Sequence, residues 1–348
     1  MDVVYWHTMA GNNRRSRRTV LKYGGAAGMV GLAGCADVLG GGGSDDVRVI
    51  VPYSEGGGTD IYARQLAPVM AEELDVSVEI DNVVGSGTIQ GMNELYQADT
   101  DGSTVGVING PSILYIMRPD LLEFDYLDFE SAGAFARTVF VISAHPDDDI
   151  DDYQDLVDRY QDGEFTEFGG LTIGEGQWLV ANLMRDIHGL EFESYVAYSS
   201  SGELAQANAS EEIPSGNPTE TTLEEFIGDE LLEPVVATAS DGSPTLPDVP
   251  TFEDEGFDPL PYGDFSRGLL FPPDTDEDIL EEWEAALETA VESEEIQDWS
   301  DDSGNMVEFN DREWWQEEWT EGPERIEAAI EEEASVEDYR DEVEEDED

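Results

Sequence analysis

The hydrophobic positions of this chain switch repeatedly between a run and a stripe. Val47-Arg48-Val49-Ile50-Val51-Pro52 is a short apolar run that reads as a strand, and Ser54-Glu55-Gly56-Gly57-Gly58 ends it with residues that free the backbone. From Thr59 the apolar positions Ile61, Leu66, Val69, Met70 and Leu74 recur at near-helical spacing, with Thr59 or Asp60 as the expected N-cap. The cycle repeats. Val76 to Ile80 reads as a strand, Thr88 to Tyr96 as a helix, Thr104 to Ile108 as a strand and Phe135 to Ala144 as a longer apolar strand. Such alternation predicts an α/β fold with a parallel sheet flanked by helices.

A second series restarts the pattern. Glu167 to Ile173 reads as a strand, Gln177 to Ile187 as a helix and Glu193 to Val196 as a short strand, with helical segments around Glu203 and Leu223. Leu232 to Thr238 gives another strand, Pro244 to Pro261 a loop with a short helix, and Arg267 to Phe271 a strand that returns to the first series. The chain is therefore expected to cross twice between a first lobe, 47–142 plus 240–333, and a second, 143–239. Ile279, Trp283, Ala286, Leu287 and Ala290 mark an amphipathic helix, with a second around Trp314, Trp315, Trp319 and Ile326. Those tryptophans read as core. From Glu331 the sequence turns mostly acidic, and the segment to Asp348, with the 334–348 tail at its end, is expected to fray.

Charge changes the setting of this fold. Among 348 residues, 15 basic side chains face 83 acidic ones, a net charge of -68, and the one lysine is Lys22. So large an excess opposes collapse in dilute buffer, yet at about 1 M salt the Debye length falls to about 3 Å and neighbouring carboxylates stop repelling one another. The composition reads as adaptation to brine, and it excludes direct binding to nucleic acid or anionic lipid. Calcium loops of the DxDxDG form with a closing Glu are absent.

The N-terminus reads as an address. Arg14, Arg15, Arg17, Arg18 and Lys22 precede the apolar stretch Gly24 to Leu32, too short for a permanent span. Ser16-Arg17-Arg18-Thr19-Val20-Leu21-Lys22 resembles a twin-arginine export signal and Leu32-Ala33-Gly34-Cys35 a lipobox, so residues 1–34 are expected to be a signal peptide and Cys35 the lipidated residue. Cleavage removes 5 basic and 1 acidic residue, leaving 10 arginines against 82 acidic side chains and a net charge of -72. Residues 35–46, rich in glycine, would tether the body to the outer face of the cell membrane. With Cys35 the only cysteine, an intrachain disulfide, a cysteine metal cluster and a cysteine nucleophile are all excluded.

The candidate chemistry lies in glycine loops. Three consecutive glycines between a strand and a helix let backbone N–H groups in Ser54 to Asp60 point at an anion, although a plain tight turn would use the same residues. Gly85-Ser86-Gly87-Thr88 and Asn109-Gly110-Pro111-Ser112 occupy the same strand-to-helix position, and such ends converge at the carboxyl edge of a sheet. Neither GxGxxG nor a Walker lysine is present, and neither HExxH nor GxSxG. His145 and His188 are the only histidines after the leader, and read as structural. The expectation is a binding protein without catalytic residues, metal or cofactor.

Val51-Pro52-Tyr53-Ser54-Glu55-Gly56-Gly57-Gly58-Thr59-Asp60, Gly85-Ser86-Gly87-Thr88-Ile89, Asp101-Gly102-Ser103-Thr104 and Leu246-Pro247-Asp248-Val249-Pro250-Thr251-Phe252 resemble, in that order, the solute receptors of tripartite tricarboxylate transporters, or Bug proteins. The likeness covers roughly 47–330. It implies a type II periplasmic-binding-protein fold, two α/β lobes with a central cleft, in which a monomer captures a small organic acid and hands it to large and small membrane permease subunits. Carried over by position, Tyr53, Ser54, Gly57, Gly58, Thr59 and Asp60 would hold the ligand carboxylate, with Asn109 and Ser112 on the same lobe. Gly174, Gly176, Gln177, Tyr198, Ser199, Ser200 and Asn217 would face them. The family's Pro-Tyr-Lys-Gly loop reads Ala197-Tyr198-Ser199-Ser200-Ser201-Gly202 here, without its lysine, and Val83 or Val84 stands where an arginine is common. Neutral N–H and O–H donors are therefore expected to carry the anion. A receptor feeding a sensor kinase, or a surface lipoprotein outside transport, are the alternatives.

Overall fold

The computed structural model describes residues 46–346; the leader, Cys35 and nearly all of the 35–46 tether lie outside the described residues. The first lobe opens with β1 (Asp46–Val51), α1 (Gly58–Glu73), β2 (Ser77–Asn82), α2 (Ile89–Tyr96), β3 (Thr104–Gly110) and the short α3 (Ile113–Met117). Parallel β2 and β3 flank β1, with Val49 opposite both Ile80 and Val105. Val47, Val49 and Val51 thus share one face and pack on Tyr62, Leu66 and Met70 of α1.

The long apolar run ending at Ala144 is two strands in two sheets. β4 (Glu130–Val139) closes the first sheet and β5 (Val141–Ala144) belongs to the second, so the chain passes between sheets at Phe140 alone. Hydrophobic pattern could not place this break, because Val139, Phe140 and Val141 are all fully buried. The second lobe continues through α4 (Tyr153–Gln161), β6 (Glu167–Gly170), α5 (Gly176–Leu183), which runs on as a π turn over Met184–His188, β7 (Ser194–Ala197), α6 (Ser201–Ala209), β8 (Ser215–Gly216), α7 (Glu220–Gly228) and β9 (Glu233–Ala237). The Asp152 carboxylate caps α4 by accepting from the Asp155 N–H at 2.8 Å.

A long irregular segment then leads back to β10 (Asp264–Phe271) in the first sheet; the short helix expected there is replaced by turns, one of them closed by Thr251 and Asp254. The sheet orders are β2-β1-β3-β10-β4 and β7-β6-β8-β5-β9. Neither is wholly parallel: β10 runs antiparallel to β3 and β4, and β5 runs antiparallel to β8 and β9. Each antiparallel strand is one the chain uses to change lobes.

The C-terminal part is helical: α8 (Glu277–Glu292), α9 (Glu294–Ser303), α10 (Arg312–Thr320), α11 (Gly322–Glu333) and α12 (Val336–Asp346). On α8, Leu280, Trp283, Leu287 and Val291 form one buried stripe. Trp315 of α10 lies so close to β10 that a Cβ on Gly268 would meet its ring at 2.3 Å. The expected fraying from Glu331 is corrected over Val336–Asp346. Val336, Tyr339 and Val343, spaced at one helical face, are buried with Ile116 of α3 and Trp178 of α5, so the last helix belongs to a core shared by both lobes. Tyr339 donates to Asp186 at 2.7 Å, and Arg340 donates to the Ile116 carbonyl at 2.9 Å. Acidic composition marked the solvent face and masked the three apolar residues that dock it.

Tyr339→Ala should cost about 3 kcal/mol in denaturant unfolding at molar salt, the value for deleting a buried aromatic ring. A loss under about 0.5 kcal/mol would show that α12 contributes no packing.

Candidate functional site

The β1–α1 turn is the first wall expected of the cleft. The N-cap of α1 is Gly57, in extended conformation, rather than Thr59 or Asp60. The Gly57 N–H donates to the Ser54 carbonyl at 3.0 Å, closing a tight turn that leaves Ser54, Glu55, Gly56 and Gly58 exposed. Asp60 is turned inward and accepts from the Gly56 N–H at 2.8 Å, Arg64 Nε at 2.8 Å and Asn82 Nδ2 at 2.9 Å. Burial alone would raise its pKa, but these three donors hold it below the ordinary carboxylate range. Asp60 therefore shapes the turn. Tyr53 accepts the Asn109 N–H at 3.0 Å through its hydroxyl and ties the turn to the end of β3, while Thr59 donates to Asn109 Oδ1 at 2.8 Å. Ser112, at the start of α3, is partly buried beside them.

Under this turn lies a cation that the sequence reading missed. Arg267, in β10 and paired in register with Asn109, is only 5% exposed. Its Nε donates to Thr59 Oγ1 at 3.3 Å and its Nη1 to Thr138 Oγ1, while the guanidinium stacks 4.7 Å from the ring centroids of both Tyr62 and Phe265. Nη2 has no protein partner and points under Gly58, where a Cβ would sit 3.3 Å away. The other nine arginines of the described residues each pair with a carboxylate. In a chain with 83 acidic side chains, Arg267 is the arginine without such a partner among the described residues. Desolvation lowers its pKa and outweighs the opposing pull of Tyr62, Tyr53 and the buried Glu220, which marks the cost of a buried charge without a direct partner.

The opposite wall is the loop into α5. Glu175 is the N-cap of that helix, and its Oε1 lies 3.9 Å from the Cβ position of Gly87 in the first lobe. Its carboxyl group makes no hydrogen bond or ion pair to protein, although its backbone does, and burial pushes its pKa to about 7. Gly176 packs against Tyr262, where a Cβ would meet the hydroxyl at 2.7 Å. The Gln177 carbonyl accepts from Asn217 Nδ2 at 2.8 Å, and Asn217 Oδ1 is buried without a partner. Gly174 instead faces α12, its Cβ position 3.1 Å from Val343.

Three expected residues stand apart. Tyr198 packs with Leu204 and Ile213 beneath α6, its hydroxyl buried and unpartnered there. Ser199 and Ser200 are committed to the start of α6: Ser199 donates to the Glu203 carboxylate, and Ser200 Oγ accepts the Glu203 N–H at 3.2 Å. A cavity of about 490 Å³ that shares Tyr262 with the opposite wall opens between the crossing strands and α11, lined also by Pro111 and Arg325 among others. Its arginines, Arg137 and Arg325, are already paired with Asp241, Asp264 and Glu318, so it holds no free charge to offer an anion. His188 is locked in a core cluster with Tyr153, Phe252 and Phe257.

The family model described as "Tripartite tricarboxylate transporter family receptor" matches residues 62–317. A protein of the TAR-I ttuE-ttuC' intergenic region of Agrobacterium vitis is 27% identical over 251 residues, covering 71% of this chain and 72% of its own length. BugT of Bordetella pertussis is 32% identical over 87 residues, 22% of this chain and 27% of its own. Among solved structures, MatC from Rhodopseudomonas palustris with bound malate matches at a TM-score of 0.64 and 21% identity, covering 86% of this chain and 98% of its own. R. palustris Rpa4515 with adipate matches at 0.69 and 19% identity, covering 85% and 97%.

Glu175 gives a direct test of this geometry. Its pKa rises from an ordinary 4.5 to about 7, so between those values the folded chain holds a proton that the unfolded chain has lost. The stabilisation is full below pH 4.5 and lost as pH rises through 7. Unfolding followed at molar salt from pH 5 to pH 8 should show Glu175→Gln gaining on the wild type by on the order of 1–3 kcal/mol. Parallel curves would mean that Glu175 is solvated.

Proposed function

Because this chain belongs to the tripartite tricarboxylate transporter receptor family, we propose that it captures a small organic carboxylate outside the cytoplasm and delivers it to the large and small membrane subunits of such a transporter. Its relatives are solute-binding receptors, not enzymes. The observation that carries the ligand class is Arg267: a buried guanidinium with one nitrogen facing the glycine turn and no protein carboxylate. An unpaired buried cation is costly, and a ligand carboxylate is the group that would compensate it. Thr59, Asn109 and the turn amides supply further donors or fix their neighbours, so the anchor combines a fixed positive charge with the main-chain donors expected from the sequence. The malate and adipate held by related structures support the same class.

Closure of the cleft would follow from a ligand that touches both walls, the Arg267 side and the Glu175–Asn217 side. Cys35 behind a lipobox and a twin-arginine signal support export and lipid anchoring. The net charge of -68 supports work in brine, where carboxylate surfaces remain hydrated and repulsion is screened.

Calorimetry at molar salt with malate and adipate as probes should find binding weakened about 10- to 100-fold by Arg267→Gln, the range for a lost charge-assisted bond. Gly58→Val should weaken it by crowding Nη2, while Arg267→Lys keeps the charge and controls for folding. Wild-type affinity in Arg267→Gln would leave the guanidinium without a role in capture. Separately, Cys35→Ala should move the protein from the membrane fraction to the soluble one; unchanged partition would remove the lipid anchor.

A further inference from the structure

Resting on the carboxylate-receptor reading above, we propose that the ligand is amphoteric, its carboxylate taken by Arg267 and a cationic amine taken by the carboxylate of Glu175 across the cleft. Glu175 stands on the second lobe and faces the first, with its Oε1 beside Gly87. The titratable groups that face it are hydroxyls: Tyr53 from the β1–α1 turn, Tyr115 from α3, Tyr195 from β7 and Tyr262 from the segment before β10. No arginine is coupled to it, and neither is any charged residue of α12, which packs on the adjacent Gly174. Tyr53 is coupled electrostatically to both Arg267 and Glu175, so both charges act on its hydroxyl. Tyr195 and Tyr115 have their hydroxyls engaged, by the Leu171 carbonyl and by Thr88, and neither supplies a positive charge.

Charge balance selects the ligand. A dicarboxylate would bring two negative charges to a cleft with one cation and would set its second carboxylate against an acid. A zwitterion leaves the closed cleft neutral, with the buried cation and the half-buried acid both paired. The raised pKa of Glu175 agrees with a carboxyl awaiting a cation, since desolvation is the only influence on it.

The test is titration calorimetry of the full chain at molar salt, comparing ω-amino acids of three to six carbons with dicarboxylates of the same lengths at pH 5.5 and pH 8. The amino acids should bind more tightly than the dicarboxylates. Their affinity should rise with pH, by up to about 30-fold over this interval, because Glu175 must give up its proton to pair with the amine. Glu175→Gln should abolish that rise and narrow the preference at least 10-fold. Tighter binding of dicarboxylates, affinity that falls as pH rises, or a Glu175→Gln protein indistinguishable from wild type would each overturn the proposal. Failure here is separable from failure of the carboxylate reading. If dicarboxylates bind and Arg267→Gln abolishes their binding, only the amphoteric inference is lost, whereas no binding by either series would remove both.

Discussion

The structure is organised around a positive charge, that of Arg267, which no protein carboxylate pairs directly and only the buried Glu220 offsets from a distance. Arg267 is held by hydroxyls and aromatic faces, all neutral, although the surface around the fold is crowded with acids. Those contacts orient the guanidinium without cancelling its charge. The surrounding architecture follows from that placement: β10 has to enter the first sheet between β3 and β4, so that residue 267 lies level with Asn109 and under the glycine turn. A turn of larger residues would cover Nη2; Gly58 leaves it reachable.

The two walls solve opposite electrostatic problems. On the first lobe the acid nearest the turn, Asp60, is neutralised by three donors and removed from the cleft. On the second, Glu175 is given none and stays poised near neutrality. One chain thus contains a carboxylate that its donors hold below the ordinary range and another that desolvation, unopposed by any donor, raises well above it.

Much of this was legible in the sequence because the alternation of runs and stripes follows directly from sheet and helix geometry. The strand–glycine–helix order at Tyr53–Asp60 located the β1–α1 turn, and the Trp315 and Trp319 stripe located core. What stayed hidden was decided by tertiary placement. The apolar run through Phe140 gives no sign of changing sheets, since both sides of the break are buried. Tyr198 carries a family position but turns into a satellite cluster under α6. Arg267, inside Phe265-Ser266-Arg267-Gly268-Leu269, did carry a signal: a charge within a strand pattern, in a chain with few cations to spare. Val336, Tyr339 and Val343 offered a helical stripe too, outweighed by the acids between them.

The join at Phe140 has a mechanical meaning. One residue between strands of different sheets leaves no slack at this crossing, so the two sheets are held at a fixed point here. The Phe140 carbonyl accepts from both the backbone and the hydroxyl of Thr238, on the returning segment, which pins the join on its second side. Arg267, in β10 beside β4, thus stands one strand from this join, where the backbone is most tightly fixed.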